Sequence, residues 1–300
     1  MLPVLAALSL PAAVHAEARH YWVGAVATRW NPVLNGLDPI HGTRYDAAQT
    51  TFPTLTYRRF TRGWKREILT GYDRAAGAGS IPGPLLRARV GQKVKVHFKN
   101  FDDVTGNEHS MHFHGVRYRP SSDGALIPGF SGPGGSVPPG KSFTYVLDAT
   151  KPSAKGVWPY HDHSRSMEES IAGGMYGALS ILGRHERAPD REFVVAFAPL
   201  GGFETINGRA FVGNTPVFEA RLGERVQWDV MAMGSAHHTF HVHGHRWRDP
   251  DGTSVDTKTV GPAESFRIRW REDAPGTWLY HCHVEEHMMR GMIGLFRVKR

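Results

Sequence analysis

Cysteine is almost absent. Cys282 is the single one in 300 residues, so no disulfide can close within the chain and its thiol is buried, reactive or a metal ligand. Long apolar runs are scarce as well. Only the first sixteen residues, MLPVLAALSLPAAVHA, form an uncharged apolar stretch, and no later one approaches the roughly 18 residues of a membrane-spanning helix. Dense basic clusters are missing: 36 Lys and Arg give a net charge of +8, yet they are scattered and lack an aromatic-basic signature. The charge therefore solvates the surface, and neither a nucleic acid nor a membrane is an expected partner. The opening segment ends in Val14-His15-Ala16, the small-residue pattern of a signal-peptidase site. Residues 1–16 are accordingly expected to be a signal peptide, and the mature protein to be exported to the periplasm or secreted.

Helix signals are also few, since 34 Gly and 20 Pro interrupt the chain throughout. What fills the gaps is strand pattern: alternating segments such as Phe143–Leu147 and Phe266–Trp270 lie between turn clusters. The chain also repeats itself. GPLLRARVGQKVKVHFKN at 83–100 aligns with TPVFEARLGERVQWDVMA at 215–232, HSMHFHG at 109–115 with HTFHVHG at 238–244, and GVWPYHDH at 156–163 with GTWLYHCH at 276–283. Three matches in one order mark a duplicated domain. Residues 17–183 are read as the first domain, 184–192 as a polar linker and 193–300 as the second domain. Each is an all-β unit, a Greek-key sandwich or barrel.

The chemistry lies in four His-x-His pairs: His112 and His114, His161 and His163, His241 and His243, His281 and His283. Side chains on a strand alternate faces, so each pair sets two imidazoles on one face. Eight imidazoles exceed what one metal ion can hold. Cys282 sits between the last two histidines and must point the other way, toward a separate metal. His238, of opposite parity to His241, is a fitting partner, and His287 and Met292 follow Cys282 by five and ten residues. Two His, one Cys and a distant Met form the ligand set of a blue-copper site, although zinc would also accept these donors. Copper is favoured because a thiolate whose backbone neighbours are ligands of a second cluster gives a short electron path, which a redox-inert ion does not need. The first repeat carries Asp162 in place of Cys282 and Met167 in place of His287, while His109 and Met175 still match His238 and Met292. It should hold no blue copper, and His109 is read as a leftover or buried hydrogen-bonding residue. His237 and His245 are read as neighbours of the ligands or surface residues.

With these motifs in view the chain resembles the multicopper oxidases, most closely the bacterial two-domain small laccases. The resemblance runs from about Pro82 to Val298 and is carried by HFHG, YHDH, HTFHVHGHRW and WLYHCHVEEHMMRGM. It implies two tandem cupredoxin-like domains and four coppers per functional unit: one type 1, one type 2 and a type 3 pair. His238, Cys282, His287 and Met292 would bind the type 1 ion, and His112 and His241 the type 2 ion. His114, His161, His163, His243, His281 and His283 would bind the type 3 pair. The implied reaction couples one-electron oxidation of a small reducing substrate, a phenol or aromatic amine, to four-electron reduction of dioxygen to water. Electrons would enter at the edge of His287 and leave through Cys282. Asp123 and Tyr118 match residues near the oxygen-reducing cluster and are the candidate catalytic groups, the acid as a proton source. Asp256 matches a further acid without an assigned role. A homotrimer with the cluster at its subunit interfaces is implied by the same resemblance. Competing readings are a cuprous-ion or manganese oxidase, a copper nitrite reductase, a copper-storage protein and a zinc hydrolase. Nitrite reductases carry the blue-copper cysteine in the first domain, which Asp162 opposes.

Overall fold

The computed structural model describes residues 18–69 and 80–300; the expected signal peptide at 1–16 lies outside them. Alternation of apolar and polar side chains builds four principal sheets. The first unit packs a five-stranded sheet, in the order Phe52–Phe60, Arg19–Trp30, Gln92–Asn100, Ser142–Ala149 and Arg117–Tyr118, on a four-stranded one. That second sheet runs Leu86–Arg89, Tyr176–Leu182, Gly156–His161 and His112–Phe113. Val94, Val96 and Phe98 alternate inward from one sheet and share a core with Leu86, Phe113, Tyr160 and Leu179 of the other. This is the sandwich pattern that period-two sequences specify. Parallel and antiparallel pairings mix within the sheets, for instance Arg19–Trp30 parallel to Gln92–Asn100. The all-β, two-unit cupredoxin-like fold expected from the sequence is thus the observed one.

The second unit repeats the plan. Phe203–Ile206, Arg191–Leu200, Arg225–Ala232 and Ser265–Arg271 form one sheet. Val217–Arg221, Ile293–Lys299, Gly276–Cys282, His238–Val242 and Thr257–Val260 form the other. Its opening strand starts at Arg191, inside the span read as linker, because Arg191 already pairs with Val226. That strand explains how the units join. Phe193, Val195 and Phe197 face the second unit's own core, whereas Val194, Ala196, Ala198 and Leu200 pack on Trp30, Ile81, Val157, Tyr176 and Ala178 of the first. Both faces are dry, so the strand is apolar at nearly every position. At the same junction Arg267 makes a bidentate pair with buried Asp229 of its own unit (2.7 and 2.9 Å) and reaches Ser180 Oγ (2.7 Å) and the Ile181 carbonyl (3.0 Å) of the first. Helices are short: Ala47–Thr50, Met167–Ala172 and Glu285–Met289 among the described residues. No described helix is long and apolar enough to cross a membrane.

Candidate metal centres

Strand pairing brings the histidine pairs together in each unit. His112 lies directly opposite His161, and His241 directly opposite His281, in antiparallel register. The repeated glycine after each first pair has a packing reason. Gly115 and Gly244 adopt φ of 68° and 71°, and a Cβ there would collide with Trp158 or Trp278, whose indole N–H groups anchor to the carbonyls of Ala154 and Ala274. Tyr160 and Tyr280 likewise donate to the carbonyls of Pro84 and Pro216, so aligned residues of the two repeats make the same bonds.

Two quartets of imidazoles result. In the first, the rings of His112, His114, His161 and His163 stand 5.0 to 5.6 Å apart. In the second, those of His241, His243, His281 and His283 stand 5.2 to 5.5 Å apart. Backbone carbonyls fix four of these rings. His112 Nδ1 donates to Asp123 O at 2.7 Å, His241 Nδ1 to Asp256 O at 2.8 Å, His161 Nδ1 to Asp162 O at 2.8 Å and His281 Nδ1 to Cys282 O at 2.9 Å. A carbonyl only accepts, so the proton sits on Nδ1 and Nε2 is left with a bare lone pair, as in oriented metal-binding histidines. The Nε2 atoms of His114 and His161 face each other at 3.1 Å, as do those of His243 and His281. Burial pushes His114, His161 and His281 down to about 4, so they are neutral donors near pH 7. His112, His114 and His161 form one donor group with ligand atoms within 4.8 Å of one another, and His241, His243 and His281 another. Among the described residues no hydrogen bond or ring contact joins the two quartets.

The third donor group is His238, Cys282 and His287. Cys282 Sγ lies 3.7 Å from Nδ1 of both histidines, which are 3.1 Å apart. The sulfur points away from His281 and His283, as the alternation of side chains requires. Thr239 N–H donates to it at 3.4 Å, and burial pushes the thiol up. His238 and Cys282 are fully buried and His287 is half-buried on the helix Glu285–Met289. Met292 is buried in the same core, where its carbonyl accepts the Cys282 N–H at 3.1 Å. Two imidazoles and one sulfur, with Met292 in the same buried cluster, suit copper.

In the first unit the corresponding place is filled by charge. His109 is buried, with Nδ1 3.1 Å from Asp162 and Nε2 3.2 Å from Asp102. Asp162 also accepts from Ser110 N–H and Ser164 N–H. This is the hydrogen-bonding role read for His109. His245 is buried too, bonded to the His243 carbonyl at 2.7 Å and Glu272 at 2.9 Å. Asp123 and Tyr118 both stand beside His112. An Asp123 carboxyl oxygen is 3.7 Å from His112 Nδ1, and the Tyr118 ring is 6.2 Å from the imidazole. Burial and the adjacent carboxylate push the Tyr118 phenol up to about 12. Sequence reasoning missed Asp102, Glu272 and Glu204. Glu204 has a buried carboxyl oxygen without a hydrogen-bond partner, and burial pushes its acid up while the charges of His287 and Arg290 act against that.

Models described as "Multicopper oxidase" match residues 68–186 and 186–300. The chain belongs to the multicopper oxidase family. Among relatives is the "Probable nitrite reductase-hydroxylamine oxidoreductase fusion protein" of Kuenenia stuttgartiensis, 33% identical over 76% of this chain and 29% of the relative. The human "Ferroxidase HEPHL1" is 28% identical over 98% of the chain and 30% of its own length. The chain therefore spans under a third of these two relatives. A solved multicopper oxidase superposes with a TM-score of 0.71 and 26% identity, covering 94% of this chain and 89% of that one. Multicopper oxidases work with copper, and the three donor groups are where this chain could hold it.

Proposed function

We propose that this protein is a laccase-like multicopper oxidase of the two-domain type, oxidising phenols or aromatic amines one electron at a time and reducing dioxygen to water. The observation that carries this reading is the His238–Cys282–His287 triangle, with edges of 3.1 to 3.7 Å, whose cysteine is peptide-bonded to a histidine of the second quartet on either side. His238, Cys282, His287 and Met292 would hold the type 1 ion. His112 and His241 would hold type 2, and His114, His161, His163, His243, His281 and His283 the type 3 pair. Copper there would supply one-electron transfer and dioxygen reduction. The chain's own residues supply the surroundings. Core packing around His238, Cys282 and Met292 keeps water from the sulfur, while the half-buried His287 ring offers a reducing substrate its closest approach. The carbonyls of Asp123 and Asp256 hold the type 2 histidines in one tautomer. The Asp123 carboxylate, beside Tyr118 and His112, would hold a proton for the oxygen being reduced. Among the described residues no hydrogen bond or ring contact joins the quartets within one chain, which supports their being combined between copies, and a closed homotrimer is the proposed assembly. Export of the mature chain belongs to the same reading.

Oxidation of a reducing metal ion is the second reading, favoured by the unpartnered Glu204 carboxyl in the field of His287. Nitrite reduction, suggested by one relative's name, is opposed by Asp162 in the first unit. The test is the visible spectrum and oxygen uptake of copper-loaded protein beside Cys282→Ser, with a phenol and with ferrous iron as donors. A strong band near roughly 600 nm and phenol-driven uptake, both lost in the variant, are expected. Glu204→Gln should leave phenol turnover unchanged; a selective loss with ferrous iron would move the assignment to metal oxidation. A colourless protein without uptake would overturn both.

A further inference from the structure

Away from the three donor groups, the outer sheet of the first unit carries a fourth meeting of imidazoles. His20 and Trp22 lie on the strand Arg19–Trp30, and His97 lies on its parallel neighbour Gln92–Asn100, with Trp22 in register with His97. His20 Nδ1 and His97 Nε2 are 3.0 Å apart. That spacing is within 0.1 Å of the 3.1 Å separating facing imidazole nitrogens in each of the three candidate centres. The second nitrogen of His97 is anchored to Thr144 Oγ1 at 2.9 Å, on the directly paired strand residue, which turns Nε2 toward His20. A hydroxyl thus orients this imidazole as carbonyls orient those of the quartets.

The rings are also held before any ligand arrives. His20, Trp22 and His97 form a stack, with centroids 5.9, 4.6 and 5.2 Å apart and planes within 22°. Rigid strands and a stack lower the entropy that chelation would otherwise cost. Burial, His20, Lys95 and Arg62 all lower the His97 pKa, leaving it neutral and able to donate. Lys95 and Arg62 repel a metal ion, so only an ion with strong bonds to imidazole can bind. Copper(II) stands highest among the divalent ions, and magnesium or calcium, which want oxygen, are excluded.

We propose that His20 and His97 form a further copper(II) site on the solvent side of the first unit, completed by water and separate from the centres that hold the family's copper. It binds more weakly and exchanges faster than they do, because only two protein atoms hold the ion and His20 is exposed. The test starts from copper-loaded protein freed of excess metal and titrated with copper(II) sulfate, read by calorimetry and by electron paramagnetic resonance. The wild type should take up one further equivalent with nitrogen-ligated signals, and His20→Ala and His97→Ala should each lose it. Visible absorption and oxygen uptake should not change. His20→Ala alters an exposed ring and keeps the test decisive if His97→Ala disturbs the sheet. Uptake of the extra equivalent by both variants, or none by the wild type, overturns the site. Neither result depends on whether the protein oxidises phenols.

Discussion

A single histidine separates the two units chemically. In the second unit His238 faces a cysteine and another histidine, whereas at the aligned place His109 lies between two buried carboxylates, Asp162 and Asp102. Burial alone would depress the His109 pKa, but the hydrogen bonds and charges of Asp162 and Asp102 outweigh it and raise the value. Asp102 is held down to about 2, burial being opposed by hydrogen bonds from Thr105, Val104 and His109. A raised histidine stabilises the fold fully below its unfolded value near 6.5 and loses this as pH climbs through the folded value. A lowered aspartate stabilises fully above about 4 and loses this as pH falls through about 2. His109→Phe leaves the carboxylates without their cation and should cost about 3 kcal/mol. Thermal melting from pH 3 to 9 should show the widest gap between wild type and variant at about pH 4 to 6.5, narrowing on both sides. A gap independent of pH would mean that His109 contributes only packing.

At the scale of strands, Arg267, paired with Asp229 of its own unit, joins the units through hydrogen bonds to Ser180 and Ile181 on the strand Tyr176–Leu182. Arg267→Met removes the partner of a buried carboxylate and two hydrogen bonds to the first unit. It should destabilise the protein by about 3 kcal/mol, read as a lower urea midpoint. Replacing both residues, Arg267→Met with Asp229→Leu, should recover much of the loss, because the uncompensated charge is then gone. None of this junction is legible in the sequence. REFVVAFAPL reads as one buried strand, and nothing says that alternate residues serve two different cores. The strand pattern itself was legible, because period-two burial needs only local order. So was the opposed facing of Cys282 and its flanking histidines, which follows from the geometry of a single strand. Asp102 was not, since its approach to His109 is made by the loop between strands. The His20–His97 contact joins strands more than seventy residues apart in sequence, a parallel pairing that no local pattern announces.

For the whole molecule the decisive feature is that the quartets belong to different units and, among the described residues, share no hydrogen bond or ring contact inside one chain, whereas the His238–Cys282–His287 group lies within a single unit. On the proposed assembly, blue colour and oxygen reduction have different requirements. The first would need only a folded second unit, and the second would need a neighbour that brings the first unit's quartet to it. Association binds the assembled state by mass action, so dilution favours separated chains. Sedimentation should find a trimer in concentrated copper-loaded protein. On dilution, oxygen uptake per chain should fall together with the trimer fraction, while the visible band per chain persists. Each head-to-tail contact in a ring supplies one complete set of eight imidazoles, so a trimer has three such sets and an open dimer one. Activity per chain should then follow the number of closed contacts rather than the number of folded chains. Full uptake from isolated monomers would show that a single chain completes its own cluster, and the subunit-sharing arrangement would be discarded.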